Sequence, residues 1–323
     1  MSSLVDQVIS GERKAVSKAI TAVENKEDNY SQILQRLYPH TGTAHIVGIT
    51  GPPGTGKSSI VDGLVKIYRT SGKRIAVLAV DPSSPISGGA ILGDRVRMLE
   101  HSLDSGVYIR SMASRGDERG LSAAAMDAVI VLDAAGFDIV FVETVGIGQT
   151  EVEIVELADT VVAVLMPELG DEIQAAKAGL MEIGDIFAIN KSDLPGADKV
   201  IYNLHPVLSS KEGGWKQIAL KVSAKTGQGM SELAKAISDH GTFIRTSGVK
   251  ETIMRERLKQ DLIEKILEGF ANHLKGELLS DPDFEMTLDL LVKKEIDPDS
   301  AANRLLKKYD FARKRAVVSG KEA

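Results

Sequence analysis

A doubly wound α/β domain with a mainly parallel sheet follows from three features of this 323-residue sequence. Seven short β-branched runs alternate with helical stretches. The runs are near-continuously apolar, as strands covered on both faces require. Hydrophobic residues make up 43% and charged residues 26%, close to average globular usage, which excludes a wholly disordered or fibrous chain. The length suits one large α/β domain with extensions, or two domains.

Residues 1–43 read as a helical N-terminal extension, because Leu4, Val5, Val8 and Ile9, then Val16, Ala19, Ile20 and Val23, recur at helical spacing. Residues 44–246 hold the strand candidates HIVGIT, RIAVLAV, VYIRSM, DIVFVE, TVVAVLM, DIFAIN and QIALKV, with helices such as Ser58 to Thr70 and Leu121 to Ala135 between them. Residues 247–323 lose the strand signals and carry 15 basic and 15 acidic side chains. Ile253, Leu258, Leu262, Ile266 and Phe270 still form an apolar helical seam, so this segment reads as a charged helical arm. Such a seam suits a helix packed on its own domain and an interaction arm equally.

Composition excludes several function classes. The 45 acidic side chains outnumber the 39 basic ones, for a net charge of −6, which argues against broad attraction to nucleic acid or anionic membranes. An aromatic content of 4% leaves too few stacking platforms for single-strand binding. Cysteine is absent, which removes disulfides, thiolate metal sites and cysteine nucleophiles together. The first residues include Asp6 and Glu12 and no long apolar run, unlike a secretory signal or a transit peptide, and nothing approaches membrane-spanning length. A reducing, cytoplasmic setting is expected, with neither nucleic acid nor membrane as partner.

The chemistry begins directly after HIVGIT. Gly51, Pro52, Pro53, Gly54, Thr55, Gly56, Lys57 and Ser58 fit the phosphate-loop pattern G-x-x-x-x-G-K-[ST] and open a helix, with Ser59 next. Glycines let backbone amides approach phosphates, the helix N-terminus adds positive potential, Lys57 reaches the β and γ phosphates, and Ser58 can ligate magnesium. The loop says nucleotide without choosing the base. Asn190, Lys191, Ser192 and Asp193 follow DIFAIN and resemble the N-K-x-D element of GTPases, whose carboxylate accepts two hydrogen bonds from guanine; adenine lacks that donor pair. Ser223, Ala224 and Lys225 follow QIALKV and resemble the S-A-K element, whose backbone meets the guanine edge.

Acidic strand ends lie between these motifs. Glu143 ends DIVFVE and continues to Gly146, resembling a D-x-x-G switch with Glu for Asp; the longer side chain can orient a magnesium-bound or attacking water, and the Gly146 amide is placed to sense the γ phosphate. Asp81 ends RIAVLAV and Asp94 closes a glycine-rich stretch; each suits a magnesium water, against the plainer readings of a turn aspartate and a helix N-cap. Arg110, Arg115 and Arg119 read as surface arginines, and none is assigned to transition-state charge.

Together GPPGTGKSS, DPSSP-x-x-GG-x-x-LGD, ETVGIGQTE, PELGDEIQAAKAGLMEIGDIF and NKSD resemble the MeaB/ArgK family, the methylmalonyl-CoA mutase-associated GTPases of the SIMIBI class. The resemblance implies a P-loop GTPase using GTP/GDP and Mg2+, with Ser58, Asp81, Asp94 and Glu143 supporting the metal and, with Lys57 and Gly146, hydrolysis. It further implies a homodimer joined through the C-terminal arm. It implies a G-protein chaperone of an adenosylcobalamin-dependent acyl-CoA mutase, with the corrinoid adenosyltransferase as a second candidate partner. Leu169 to Glu182 resembles a third switch, with Asp171, Gln174 and Lys177 as its polar candidates. Lacking a glutamine directly after Gly146 and an evident arginine finger, the chain is expected to hydrolyse GTP slowly alone.

Two other readings compete. A nickel-type maturation GTPase shares the fold, but such proteins usually present Cys or His clusters, and here His40, His45, His101, His205, His240 and His273 are scattered. An ATP-driven motor or small-molecule kinase is favoured only by the GPPGTGKS loop and opposed by NKSD.

Overall fold

The computed structural model describes residues 3–81, 100, 101, 103–113, 123–144, 150–167 and 179–308. They form two compact units, Met1–Met254 and Arg255–Ala323.

In the first unit, helices α1 (Leu4–Ile9), α2 (Arg13–Glu24) and α3 (Tyr30–Leu37) precede strand β1 (His45–Thr50) and helix α4 (Lys57–Thr70). Then come β2 (Ile75–Asp81), β3 (Val107–Ala113), α5 (Ala123–Ala134), β4 (Ile139–Thr144), α6 (Thr150–Leu157), β5 (Thr160–Leu165), β6 (Ile186–Ile189), α7 (Ala197–Leu204), β7 (Ile218–Lys221) and α8 (Met230–Thr246). The seven strands stand in the order β3-β2-β4-β1-β5-β6-β7, and every pairing is parallel. All seven sequence-expected strands are therefore present, and the doubly wound sheet is observed.

Burial on both sheet faces explains the apolar runs, since every residue of β1, β4, β5 and β6 is buried. On one face Ile60, Val61 and Leu64 of α4 and Leu233 and Ile237 of α8 pack on Val47, Ile49 and Phe141. On the other, Ala128, Val131 and Leu132 of α5 meet Leu78, Val140 and Val142. Helix α5, AAAMDAVIVLDA, is apolar nearly all round because it is covered twice. The sheet takes one side, and Val16, Ile20, Val23 and Leu37 from the N-terminal helices join the same core. Polar ties fasten those helices to edge strand β3: Arg13 Nη1 donates to the Val107 carbonyl at 2.9 Å, and Arg110 Nη2 to Glu24 Oε2 at 2.5 Å.

At the amino ends of β1 and β5, the Thr160 hydroxyl lies 2.7 Å from His45 Nε2 and 2.8 Å from His240 Nδ1. The hydroxyl carries one proton, so at most one of the two rings accepts from it and at least one donates to it. Trp215 packs edge-on against His240 with ring centroids 4.5 Å apart. Burial pushes His45 down to about 4.

The second unit is helical. Helix α9 (Val249–Leu279) runs into it, followed by α10 (Pro282–Val292) and α11 (Pro298–Lys308). Asp281 caps α10 by accepting from the Asp283 amide at 3.0 Å, and Lys308 reaches Asp283 at 2.6 Å. Leu258, Leu262, Ile266 and Phe270 of the expected seam are exposed on this chain.

Two outcomes follow. Ile20→Ala, at a fully buried site in the shared core, lowers the stability of the first unit by about 2–5 kcal/mol in denaturant titration, although the residue lies outside the sheet. Between pH 6.5 and 4 unfolded His45 holds a proton that the folded ring, at about 4, does not. Stability therefore falls as pH drops through that window, and His45→Gln flattens this part of the profile in thermal melts at stepped pH.

Candidate functional site

The carboxyl ends of β1, β2, β4, β6 and β7 share one edge of the parallel sheet, where open α/β folds bind ligands. The loop after β1 departs between two hydrogen-bonded neighbours, β4 and β5. Gly51 has a φ of +137°, and a Cβ there would lie 2.2 Å from the Val164 carbonyl oxygen of β5. Gly56, at +89°, would drive a Cβ to 2.4 Å from Asn190 Nδ2. Both positions exclude side chains on conformation and on space, so these glycines shape the loop.

Gly56 caps α4, whose first turn carries Lys57 and Ser58. Lys57 folds back on the loop, its Nζ donating to the Gly51 carbonyl at 2.7 Å and the Pro52 carbonyl at 3.2 Å. Thr55 closes the turn by donating its hydroxyl to the Pro52 carbonyl at 2.8 Å. Ser58 Oγ donates to Glu143 Oε1 at 2.6 Å, and both residues are buried. A hydroxyl and a carboxylate set together at the start of a phosphate-loop helix are hard oxygen donors of the kind magnesium takes, so the residues present fit that ion. Asp81 ends β2 opposite Ala113 of β3, at the same sheet edge.

The residues expected to meet guanine follow two neighbouring strands, β6 and β7. Asn190 donates from Nδ2 to the Thr55 carbonyl at 2.7 Å and accepts at Oδ1 from the Ala224 amide at 3.1 Å. Lys191 stands in the left-handed region at φ +56°, an uncommon conformation for a non-glycine residue. The next amide, Ser192, donates to the Val222 carbonyl at 3.0 Å and joins the β6 and β7 ends. Ser223 Oγ donates to Asp193 Oδ1 at 2.7 Å, and this bond, first among the causes, holds the exposed Asp193 carboxyl below its ordinary value. Lys225 adds to that lowering through its charge.

The structure thus brings together Gly51, Pro52, Thr55, Gly56 and Lys57, with Ser58 and Glu143 beside them, and links them through Asn190 to Asp193, Ser223 and Ala224. Pro53, Gly54 and Ser59 complete the loop and the first helical turn. Asp94, Gly146, Arg115, Arg119, Asp171, Gln174 and Lys177 lie outside the described residues. Leu180 and Ile183, after that last stretch, are core residues beside β5 and β6. Arg110 is engaged by Glu24 and Thr21 of α2. Of the histidines, His45, His101 and His240 are buried and His40, His205 and His273 exposed.

Sequence reasoning expected a backbone role for Ser223 and missed that its hydroxyl orients Asp193. It also missed the tie from Asn190 to Thr55, because the two residues are 135 positions apart and no local pattern couples them. The left-handed Lys191 likewise carries no signal in a residue type that normally avoids that region.

The profile of the family described as Methylmalonyl Co-A mutase-associated GTPase MeaB matches residues 16–278. The chain belongs to the MeaB family of GTPases. Among its relatives, a Pyrococcus horikoshii protein, named provisionally as a GTPase, is 47% identical over 310 residues, covering 94% of this chain and 97% of that one. The GTPase ArgK of Escherichia coli is 32% identical over 91% of this chain and 92% of its own. The mitochondrial methylmalonic aciduria type A homolog of Mus musculus is 30% identical over 94% of this chain and 78% of its own. A crystal structure titled LAO/AO transport system kinase superposes with a TM-score of 0.68 at 26% identity, covering 95% of this chain and 96% of that one. As a MeaB-family GTPase the chain binds guanine nucleotide, and no described helix is long and apolar enough to cross a membrane.

Asp193→Asn separates the base reading from a purely structural one. The amide loses an acceptor for guanine and gains a donor suited to the O2 of xanthine. GTP affinity falls at least about tenfold and xanthosine triphosphate binding rises, measured with fluorescent nucleotides. Unchanged GTP affinity would remove guanine from this corner.

Proposed function

We propose that this MeaB-family GTPase is the GTP-driven chaperone of an adenosylcobalamin-dependent mutase of the methylmalonyl-CoA type, gating cofactor loading and protecting or reactivating the mutase. The observation that carries the nucleotide chemistry is the buried Ser58–Glu143 contact at 2.6 Å, beside a loop linked through Asn190 to the base corner. The family description supports the partner. A corrinoid adenosyltransferase is a second candidate partner.

In the proposed reaction, loop amides and Lys57 bind the β and γ phosphates, with Lys57 exchanging the Gly51 and Pro52 carbonyls for phosphate oxygens. Asn190, Lys191 and Asp193 hold guanine, with Ser223 to Lys225 at its edge. Ser58 and Glu143 would hold magnesium, with Asp81 and Asp94 in support; the ion, when bound, neutralises charge growing on the phosphate oxygens. Water attacks the γ phosphorus in line, the bond to the β-phosphate oxygen breaks, and GDP and phosphate leave. Glu143 is placed to orient that water, and the Gly146 amide is assigned to sense the γ phosphate.

In this reading turnover in isolation is slow and the mutase accelerates it; Arg110 is held by Glu24 and is given no part in the reaction. The exposed seam of Leu258, Leu262, Ile266 and Phe270 supports a homodimer formed through the arm.

The test is affinity capture from native extract with the protein loaded with a non-hydrolysable GTP analogue or with GDP, read by mass spectrometry. Nucleotide-dependent recovery of a cobalamin-dependent acyl-CoA mutase is expected, together with faster GTP turnover when that mutase is added. Recovery of a nickel enzyme in its place, or fast hydrolysis by the isolated protein, contradicts the proposal.

A further inference from the structure

One stripe of the phosphate-loop helix carries Ser58 and then Asp62, Lys66 and Arg69, four, eight and eleven residues further on. At this spacing the side chains stand above one another on one side of the helix. Ser58, at the N-terminal end, meets Glu143. The other three hold the segment that enters β3. His101, itself buried, donates from Nε2 to Asp62 Oδ1 at 2.9 Å. Lys66 bridges Asp62 at 2.9 Å and Glu100 at 3.0 Å. Arg69 grips Asp104 with a two-pronged contact, Nε to Oδ2 at 2.8 Å and Nη2 to Oδ1 at 2.9 Å. Asp104 is held in turn by the Gly106 amide at 2.8 Å.

Planar two-pronged pairs restrain direction as well as distance, which a single ammonium contact does not. The apolar residues Ile60, Val61, Leu64 and Val65 press α4 onto the sheet, while the polar stripe beside them resists rolling of the helix about its own axis. Rolling displaces Ser58 relative to Glu143. A turn of about 15° moves an atom about 4 Å from the axis by about 1 Å, a displacement that costs up to about a hundredfold in a positioned reaction.

We propose that His101, Asp62, Arg69 and Asp104 are positioning residues of the hydrolysis reaction: they set the rotation of the phosphate-loop helix and thereby the placement of Ser58 against Glu143 for magnesium. The inference rests on the magnesium-assisted hydrolysis proposed above. It concerns contacts up to three turns from the reacting atoms, and it separates binding of the nucleotide, made largely by loop amides, from retention of the metal, made by side chains.

The test uses the full chain and four proteins: wild type, His101→Leu, His101→Gln and Arg69→Lys. Leucine fills much of the ring's space without a donor, glutamine restores an N–H for Asp62, and lysine keeps the charge at position 69 without the fork. Fluorescent GDP affinity is measured in chelator and then across a magnesium titration, alongside single-turnover GTP hydrolysis. For His101→Leu the expectation is GDP affinity in chelator within about twofold of wild type, a magnesium half-saturation raised about tenfold, and a rate lowered about tenfold. His101→Gln recovers to within about threefold, and Arg69→Lys shifts the same two quantities in the same direction by a smaller factor. Should His101→Leu fail to fold, Arg69→Lys and His101→Gln decide alone. Wild-type rate and magnesium dependence in His101→Leu and Arg69→Lys would overturn the inference while leaving the proposed function intact. Equal losses in chelator and in magnesium would reduce the contacts to ordinary structural ties and overturn it too. A wild-type protein with no magnesium-dependent hydrolysis would remove both readings together.

Discussion

The carboxamide of Asn190 is the constraint on which the functional end depends. Its two ends reach the Thr55 carbonyl of the phosphate loop and the Ala224 amide after β7, so one buried side chain sets the loop relative to the base corner. It also explains the glycine at position 56, since any side chain there would meet Asn190. A buried amide of this kind has four hydrogen-bonding capacities, and leaving a partner unpaired costs about 1–3 kcal/mol. The phosphate end and the base end are consequently not independent modules on a shared sheet.

The same end combines rigid and adjustable parts. Lys191 stands in left-handed backbone, and Asp193 is oriented by Ser223. Such preorganisation reduces the ordering cost of binding the base. Lys57 by contrast donates to the loop's own carbonyls. In the proposed reaction phosphate oxygens would compete with those carbonyls for one ammonium.

Helix α5 links this chemistry to the rest of the fold. It lies between the sheet and the N-terminal helices, and its nearly uniform apolar surface has meaning only when both sides are covered. The N-terminal helices complete a core that would otherwise expose Val131 and Leu132 and the faces around them. Arg13 and Arg110 add directional ties at the edge strand, where unpaired backbone would otherwise invite foreign strands.

Several features were legible in the residues alone, because the signals behind them are local. Short β-branched, near-continuously apolar runs marked all seven strands, and the fixed spacing of GPPGTGKS, NKSD and SAK marked the nucleotide chemistry and its order along the chain. Tertiary structure decided what lies between distant residues. The strand order β3-β2-β4-β1-β5-β6-β7, the Asn190–Thr55 tie, the Ser58–Glu143 contact and the His45–Thr160–His240 chain all join positions 80 or more residues apart or depend on which strands become neighbours. Periodicity reports which face of an element is buried, not against what, so the sequence marks these residues without pairing them. The pairing is set when the sheet and its covering helices close-pack, because only then are the unpaired polar groups of one segment confined within reach of another.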